Sequence, residues 1–311
     1  MIIAKQVTKY FGGFQALKGI SFEIGRGEIV GFLGTNGAGK TTLMRILASY
    51  LPATSGRVSI AGVDVTKNSL AIRKKIGYLP ETPPLYTNMT TRDYLKFAAQ
   101  LKDVPTKQQR AQIDKVVAEC NLQDVQDKTI GTLSKGYKQR VGIAQAIIND
   151  PEVLILDEPT IGLDPVQIIQ VRNLIKSLEY EKTVILSTHI LSEIQQIAQR
   201  VLIIKAGEII VDQSLKELLR EQGNQQKVFL RIKGEREQIE QAIKGINSLR
   251  QVSIASLDNV HSMKLEIINK IEYHNELADK VLRANGQILE IKEIESSLED
   301  VFLRIHSAKE D

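Results

Sequence analysis

From Ile2 to about Leu215 the chain carries short unbroken apolar runs, "EIVGFLG", "KIGYLP", "EVLILDE", "TVILSTH" and "RVLIIKAG", separated by stretches whose apolar residues recur with helical spacing. That alternation predicts an α/β domain around a substantially parallel sheet. One segment breaks the rhythm. Thr91–Leu101, Thr106–Cys120 and Lys135–Asn149 all have helical patterns with no strong strand between them, so a helical subdomain is expected at about 85–150 of a domain spanning 1–215. A polar stretch at 216–226 reads as a linker. Beyond it the pattern is strand (Lys227–Lys233), helix (Glu235–Lys244), strand (Leu249–Ser256), strand (Met263–Ile268), helix (Glu272–Ala284) and strand (Ile288–Ile294). This β-α-β-β-α-β order predicts a small ferredoxin-like α+β domain over 227–311, closed by a short helix, "SLEDVFLRI".

Composition narrows the class. A length of 311 residues suits two domains, and 42% hydrophobic residues suffice for packed cores. Cys120 is the sole cysteine, which excludes an intramolecular disulfide and fits a reducing compartment. The opening "MIIAKQVTKYFGG" lacks the charged and apolar regions of a signal peptide, and nowhere do about 18 apolar residues run together. The expectation is a chain that is neither secreted nor membrane-spanning. A net charge of +4, from 41 basic against 37 acidic residues, is too balanced to announce nucleic-acid binding. The basic excess lies wholly before Leu215, consistent with an anionic ligand there.

The chemistry starts at "GFLGTNGAGKTT", which fits the phosphate-loop pattern GxxxxGK[ST] with Gly34, Gly39, Lys40 and Thr41. An apolar strand precedes it and a helix follows, the context such a loop needs. Glycines let backbone N–H groups from Gly34, Thr35, Asn36, Gly37, Ala38, Gly39 and Thr42 approach phosphates, and the helix dipole favours negative charge. Lys40 would reach the β and γ phosphates, and the Thr41 hydroxyl would bind Mg²⁺. "EVLILDEP" delivers Asp157 and Glu158 at a strand's carboxyl end, Asp157 to hold Mg²⁺ and Glu158 to act as general base on a water. "TVILSTHIL" ends at His189, a donor to a γ-phosphate or an orienter of that water. "TLSKGYKQR" has the Ser and Gly of an anion-binding helix start but no lysine or glycine run, and reads as half of a site.

Six motifs in register make the chain resemble the nucleotide-binding subunit of an ABC transporter: the P-loop at Gly34–Thr42, the Gln-loop region "IGYLPET", the signature "LSKGY", Walker B at Val153–Glu158, the D-loop "GLDP" and the switch histidine His189. The resemblance implies a P-loop NTPase of the ABC ATPase type that uses ATP and Mg²⁺. It implies a pair of nucleotide-binding domains, of which this chain supplies one or both, in which Ser134, Lys135, Gly136 and Asp164 act on the opposite subunit's nucleotide. Phe11 falls where the family stacks an aromatic ring on adenine, with Tyr10 as the alternate. Two departures stand out: Glu81 replaces the usual glutamine as a magnesium contact, and Lys135 and Tyr137 replace a Gly and the Gln of the signature.

"ETPPLYTNMT" and "SLEDVFLRI" resemble ATPase subunits of bacterial exporters with a separately encoded permease, including the gliding-motility-like group. That implies a peripheral protein on the cytoplasmic face of the membrane, touching the permease through Glu81–Thr91 and binding no nucleic acid directly. An importer ATPase with a C-terminal regulatory domain, or an ABC ATPase acting on nucleic acid, are the alternatives. The second is disfavoured by the single P-loop and by the lack of a long heptad array between Lys40 and Ser134.

Overall fold

The computed structural model describes residues 1–67, 69–179, 181–222, 227–244, 246, 249–257, 259–267, 273–294, 298, 299 and 302. The chain divides into two compact units, Met1–Leu215 and Lys216–Asp311. In chain order the first contains β1 (Ile2–Phe11), β2 (Phe14–Ile24), β3 (Ile29–Leu33), α1 (Lys40–Leu47), β4 (Ser55–Ile60), β5 (Val63–Asp64), α2 (Ser69–Lys75), β6 (Ile76–Leu79), α3 (Thr91–Leu101), α4 (Thr106–Glu119), α5 (Lys135–Ile147), β7 (Val153–Asp157), α6 (Pro165–Ser177), β8 (Thr183–Thr188), α7 (Leu191–Ile197), β9 (Arg200–Lys205) and β10 (Glu208–Ser214).

Six strands form the central sheet in the order β10-β9-β3-β8-β7-β6, parallel except for the antiparallel edge strand β10. Every residue of β3, β7 and β8 is buried. Strands covered on both faces have no solvent side, which is why these read as unbroken apolar runs. The three are neighbours, with Leu33 opposite Thr188 and Asp157 opposite Ser187. Their carboxyl ends are therefore level, and the loops leaving them converge where open α/β sheets bind ligands.

A second sheet, absent from the sequence expectation, is antiparallel in the order β2-β1-β4-β5. It shares one core with α1 and the central sheet: Ile2, Val7, Leu17 and Ile24 cluster with Phe32 and Leu43. Its strands hide from pattern reading because β1 and β2 mix buried and exposed residues and their pairing is interrupted by register shifts. The β1–β2 turn is the pair Gly12-Gly13, with Phe11 opposite Phe14.

The helical segment contains α3, α4 and α5 and no strand among the described residues, only an isolated bridge between Thr90 and Thr129. Thr90 caps α3: its hydroxyl accepts from the Asp93 backbone N–H at 3.1 Å and donates to the Asp93 carboxylate at 2.7 Å. α5 approaches β6 so closely that a Cβ on Gly77 would lie 2.2 Å from the Ala146 carbonyl oxygen.

The stretch expected to be a linker begins instead as a helix, α8 (Leu215–Gln222). Leu215 and Leu218 are buried and lie on one helical face with Leu219, an i, i+3, i+4 pattern that the flanking polar residues obscure. Residues 223–226 lie outside the described set.

The second unit continues with β11 (Lys227–Lys233), α9 (Arg236–Lys244), β12 (Leu249–Leu257), β13 (Val260–Ile267), α10 (Tyr273–Arg283) and β14 (Gln287–Ile294). The antiparallel sheet runs β12-β13-β11-β14, the ferredoxin-like order. Val228, Leu230, Ile232, Met263 and Leu265 share its core with Ile239, Ile243, Leu277 and Val281 from the two helices. The terminal helix "SLEDVFLRI" lies mostly outside the described residues.

Candidate functional site

The loop after β3 wraps the start of α1. Gly37 and Gly39 take φ values of +79° and +109°, left-handed backbone open to glycine at little cost. Gly39 is the residue before α1, and Ala38 closes the turn by donating from its N–H to the Thr35 carbonyl at 3.1 Å. Lys40 is buried, and its Nζ donates to the Gly34 carbonyl at 2.7 Å and to the Thr35 carbonyl at 3.3 Å, so the amine lies over its own loop. Burial lowers its pKa, while Glu158, Asp157 and Glu81 act in the opposite direction.

These residues border a cavity of about 590 Å³, which Asn36, Gly37, Gly39, Lys40, Thr41 and Thr42 line from the loop and α1. Glu81, Glu158 and His189 line it from the loops after β6, β7 and β8. Phe11 lines it from the β1–β2 turn and is half exposed, as a ring awaiting a stacking partner would be. Tyr10 is not among the lining residues, whereas Phe14, Ala16 and Ile161 are, and the sequence reading missed all three. The two-residue Gly-Gly loop between Phe11 and Phe14 is the signal that would have found Phe14, since a hairpin there presents both rings together.

Asp157 ends β7 almost fully buried. Ser187 Oγ donates to its Oδ1 at 2.5 Å, while Oδ2 is buried with no hydrogen-bond partner among the described residues. Burial raises the Asp157 pKa; the hydroxyls of Ser187 and Thr41 oppose the rise, and the charges of Glu158 and Glu81 add to it. A cation bound beside Oδ2 would satisfy both the orphaned oxygen and the crowded negative charge. Among the described residues no three His, Cys, Asp or Glu side chains form a cluster able to hold a metal alone. Mg²⁺ keeps waters and takes phosphate oxygens alongside one or two carboxylates.

Glu158 follows with φ +50°, a costly backbone for a glutamate. It is held by its N–H, which donates to the Ser187 carbonyl and to Ser187 Oγ, both at 3.1 Å. His189 Nδ1 lies 2.9 Å from Glu158 Oε2. A carboxylate only accepts, so Nδ1 carries the proton in this pair. The arrangement is a buried carboxylate oriented by an imidazole on the wall of the cavity that the P-loop also lines, able to take a proton from water.

Ser134, Lys135, Gly136 and Asp164 are not among the residues lining this cavity. They form a separate surface. Ser134 caps α5, its hydroxyl accepting from the Tyr137 N–H at 3.4 Å, and Asp164 caps α6, accepting from the Gln167 N–H at 2.9 Å. Gly136 leaves room for the Gln167 side chain, which a Cβ there would meet at 2.3 Å. The exposed Lys135 brings its Nζ against Gly162, within 2.0 Å of where a Cβ would stand. Signature loop and D-loop thus touch one another within one chain.

A family model described as "ABC transporter" matches residues 17–161. The chain is 41% identical over 212 residues to the bacitracin transport ATP-binding protein BcrA of Bacillus licheniformis, covering 68% of each chain. It is 32% identical over 310 residues to the ABC transporter ATP-binding protein YxlF of Bacillus subtilis, covering 98% of this chain and 99% of that one. This chain belongs to the ABC transporter ATP-binding family. Among solved structures, the ATP-binding cassette MJ0796, described as a dimer in a post-hydrolysis state bound to ADP and Pi, aligns with TM-score 0.64 and 28% identity over 69% of this chain and 99% of that one. As an ABC ATPase the chain binds and hydrolyses ATP with Mg²⁺.

Proposed function

We propose that two copies of this ABC ATPase, or this chain and a similar one, enclose two ATP molecules and drive export through a separately encoded membrane permease. Support for a transport role comes from relatives named for bacitracin transport and, at 36% identity over 229 residues, daunorubicin resistance in Streptomyces coeruleorubidus. The observation that carries the catalytic part is the Glu158–His189 pair facing the P-loop across one cavity.

Each residue then has a role. Phe11 stacks on adenine. Backbone N–H groups from Gly34 to Thr42 hold the phosphates with Lys40. Thr41, Asp157 and Glu81 hold Mg²⁺, which when bound offsets phosphate charge. Glu158 takes the proton of the attacking water, and His189 keeps its carboxylate in place. Ser134, Lys135, Gly136 and Asp164 complete the site of the opposite subunit. ATP favours the closed pair because only it offers a γ-phosphate for both subunits to contact.

A route to the permease lies next door. A cavity of about 560 Å³ is lined by Arg45, Arg73 and Lys102 together with Tyr50, Tyr78 and Pro84, and by no carboxylate among the described residues. Burial, then the Arg73 charge, pushes the Lys102 pKa down to about 8. Pro80 and Thr82 line this groove while Glu81 between them lines the ATP cavity, so a segment seated in the groove would press on the magnesium end of the nucleotide site. The occupant that fits is a cytoplasmic segment of the permease carrying acidic residues. No helix among the described residues is long and apolar enough to cross a membrane, so attachment through such a partner is how this chain would reach one.

Glu158→Gln tests the reading. Phosphate release should fall by about 10²–10⁴-fold, while ATP still drives the protein to a dimer on a sizing column. Normal turnover in this variant would remove Glu158 from its role.

A further inference from the structure

Behind the Glu158–His189 pair lies a second link between the same two loops. Thr160, two residues after Glu158, donates its hydroxyl hydrogen to Glu193 Oε2, and Glu193 belongs to the first turn of α7, four residues after His189. Both residues are buried, at 2% and 5% exposure, and neither lines the ATP cavity. The other Glu193 oxygen, Oε1, is buried with no hydrogen-bond partner among the described residues.

A carboxyl group in such a place is expensive, since burial disfavours its charge and one oxygen recovers nothing for the water it lost. A site that needed only to be filled would tolerate an apolar side chain at lower cost. The pair does more than fill. Three side-chain links join the end of β7 and the loop after it to the end of β8 and the segment after it, in order: Asp157 to Ser187, Glu158 to His189, and Thr160 to Glu193 on α7. Beyond the third link the chain runs through Gly162 to Asp164, where the D-loop meets Lys135 and caps α6. Glu158 itself sits in left-handed backbone, which persists only where its surroundings over-determine it.

We propose that Thr160 and Glu193 form a buried strut that fixes the Glu158 loop against the His189 loop, making both positioning residues for the hydrolytic step and linking the D-loop to the switch histidine. The inference rests on the catalytic reading of Glu158 given above. It sets the strut apart from nucleotide binding, because neither residue is among those lining the cavity.

The test compares paired variants by steady-state phosphate release and by equilibrium binding of a fluorescent ATP analogue. Thr160→Val removes the hydroxyl at nearly constant shape, and Glu193→Ala removes the acceptor. Each should lower kcat by about 10–100-fold, the effect of a misplacement of about 1 Å, with analogue affinity within about twofold of the parent. Thr160→Ser and Glu193→Gln, which keep a donor and an acceptor, should restore kcat to within about threefold. The double variant Thr160→Val, Glu193→Ala should be no slower than the worse single one, as expected for two ends of one contact.

Unchanged kcat in both Thr160→Val and Glu193→Ala would overturn the strut. So would parallel losses of kcat, affinity and melting temperature that the conservative variants fail to restore. If Glu193→Ala does not fold, Thr160→Val against Thr160→Ser decides alone. Glu158→Gln in the same assay separates the two claims: retained turnover there sinks the catalytic reading, whereas lost turnover beside fully active strut variants sinks only the strut.

Discussion

Two helices of the first unit begin in ways suited to anions, and they differ in everything around that beginning. α1 opens under a glycine-rich loop, with a buried lysine, a cavity of about 590 Å³ and three carboxylates within electrostatic reach. α5 opens at Ser134 on an exposed loop, with Gly136 packed on Gln167 and Lys135 against Gly162. A helix start supplies N–H groups in both cases. Only the first also supplies walls, a buried cation and a place for a reacting water. On the proposed reading the second is a lid, a surface that finishes a site lying on another subunit.

That contrast can be broken experimentally. The largest effect should come from Ser134→Arg, which puts a bulky cation where the lid must close. Turnover should fall by about 10²-fold or more, in line with losing a donor to a transition-state anion, while ATP affinity of the single chain stays within about twofold. Loss of binding with dimer formation untouched would place Ser134 in the wrong half. Phe11→Ala acts on the other side of the comparison. It should weaken ATP binding about tenfold, near the low end of the roughly 1–3 kcal/mol for a base stacked on an aromatic ring, with turnover at saturating ATP little changed. An unchanged affinity would pass the adenine to Phe14.

The smallest effect concerns stability. Burial holds the Asp157 pKa above the ordinary value, so the fold disfavours the charged form. The sign follows: its contribution is unfavourable at neutral pH, and that penalty fades as pH falls through the raised folded pKa. Asp157→Asn should therefore raise the melting temperature at neutral pH without nucleotide while abolishing magnesium-dependent turnover. A lowered melting temperature would mean that the hydrogen bond from Ser187 outweighs the buried charge.

Legibility in the sequence followed burial. β3, β7 and β8 are covered on both faces, so their apolar runs stood out, and the chemistry at their carboxyl ends came with them. The helices α3 and α4 were readable within a few residues because one face of each meets a core, and α5, buried on nearly every side, because its apolar residues recur with helical spacing. The antiparallel sheet was invisible, since its strands are half exposed and bulged. α8 hid inside a polar stretch. Thr160 and Glu193 match no spacing rule, because a contact between residues 33 positions apart exists only once β7 and β8 lie side by side. The P-loop, by contrast, is local: its glycines, lysine and threonine sit within nine consecutive residues from Gly34 to Thr42 and needed no fold to be recognised.

The central claim, that each ATP is held by one subunit and finished by the other, meets its most direct test in mixing two dead proteins. Lys40→Ala disables the α1 side and Ser134→Arg the α5 side. A dimer of one with the other contains one intact composite site and one site damaged on both sides. Equal mixing should restore phosphate release to about a quarter of the parent rate if chains pair at random and sites act independently. A mixture as inactive as either variant alone, with mixed dimers demonstrably formed, would contradict the account.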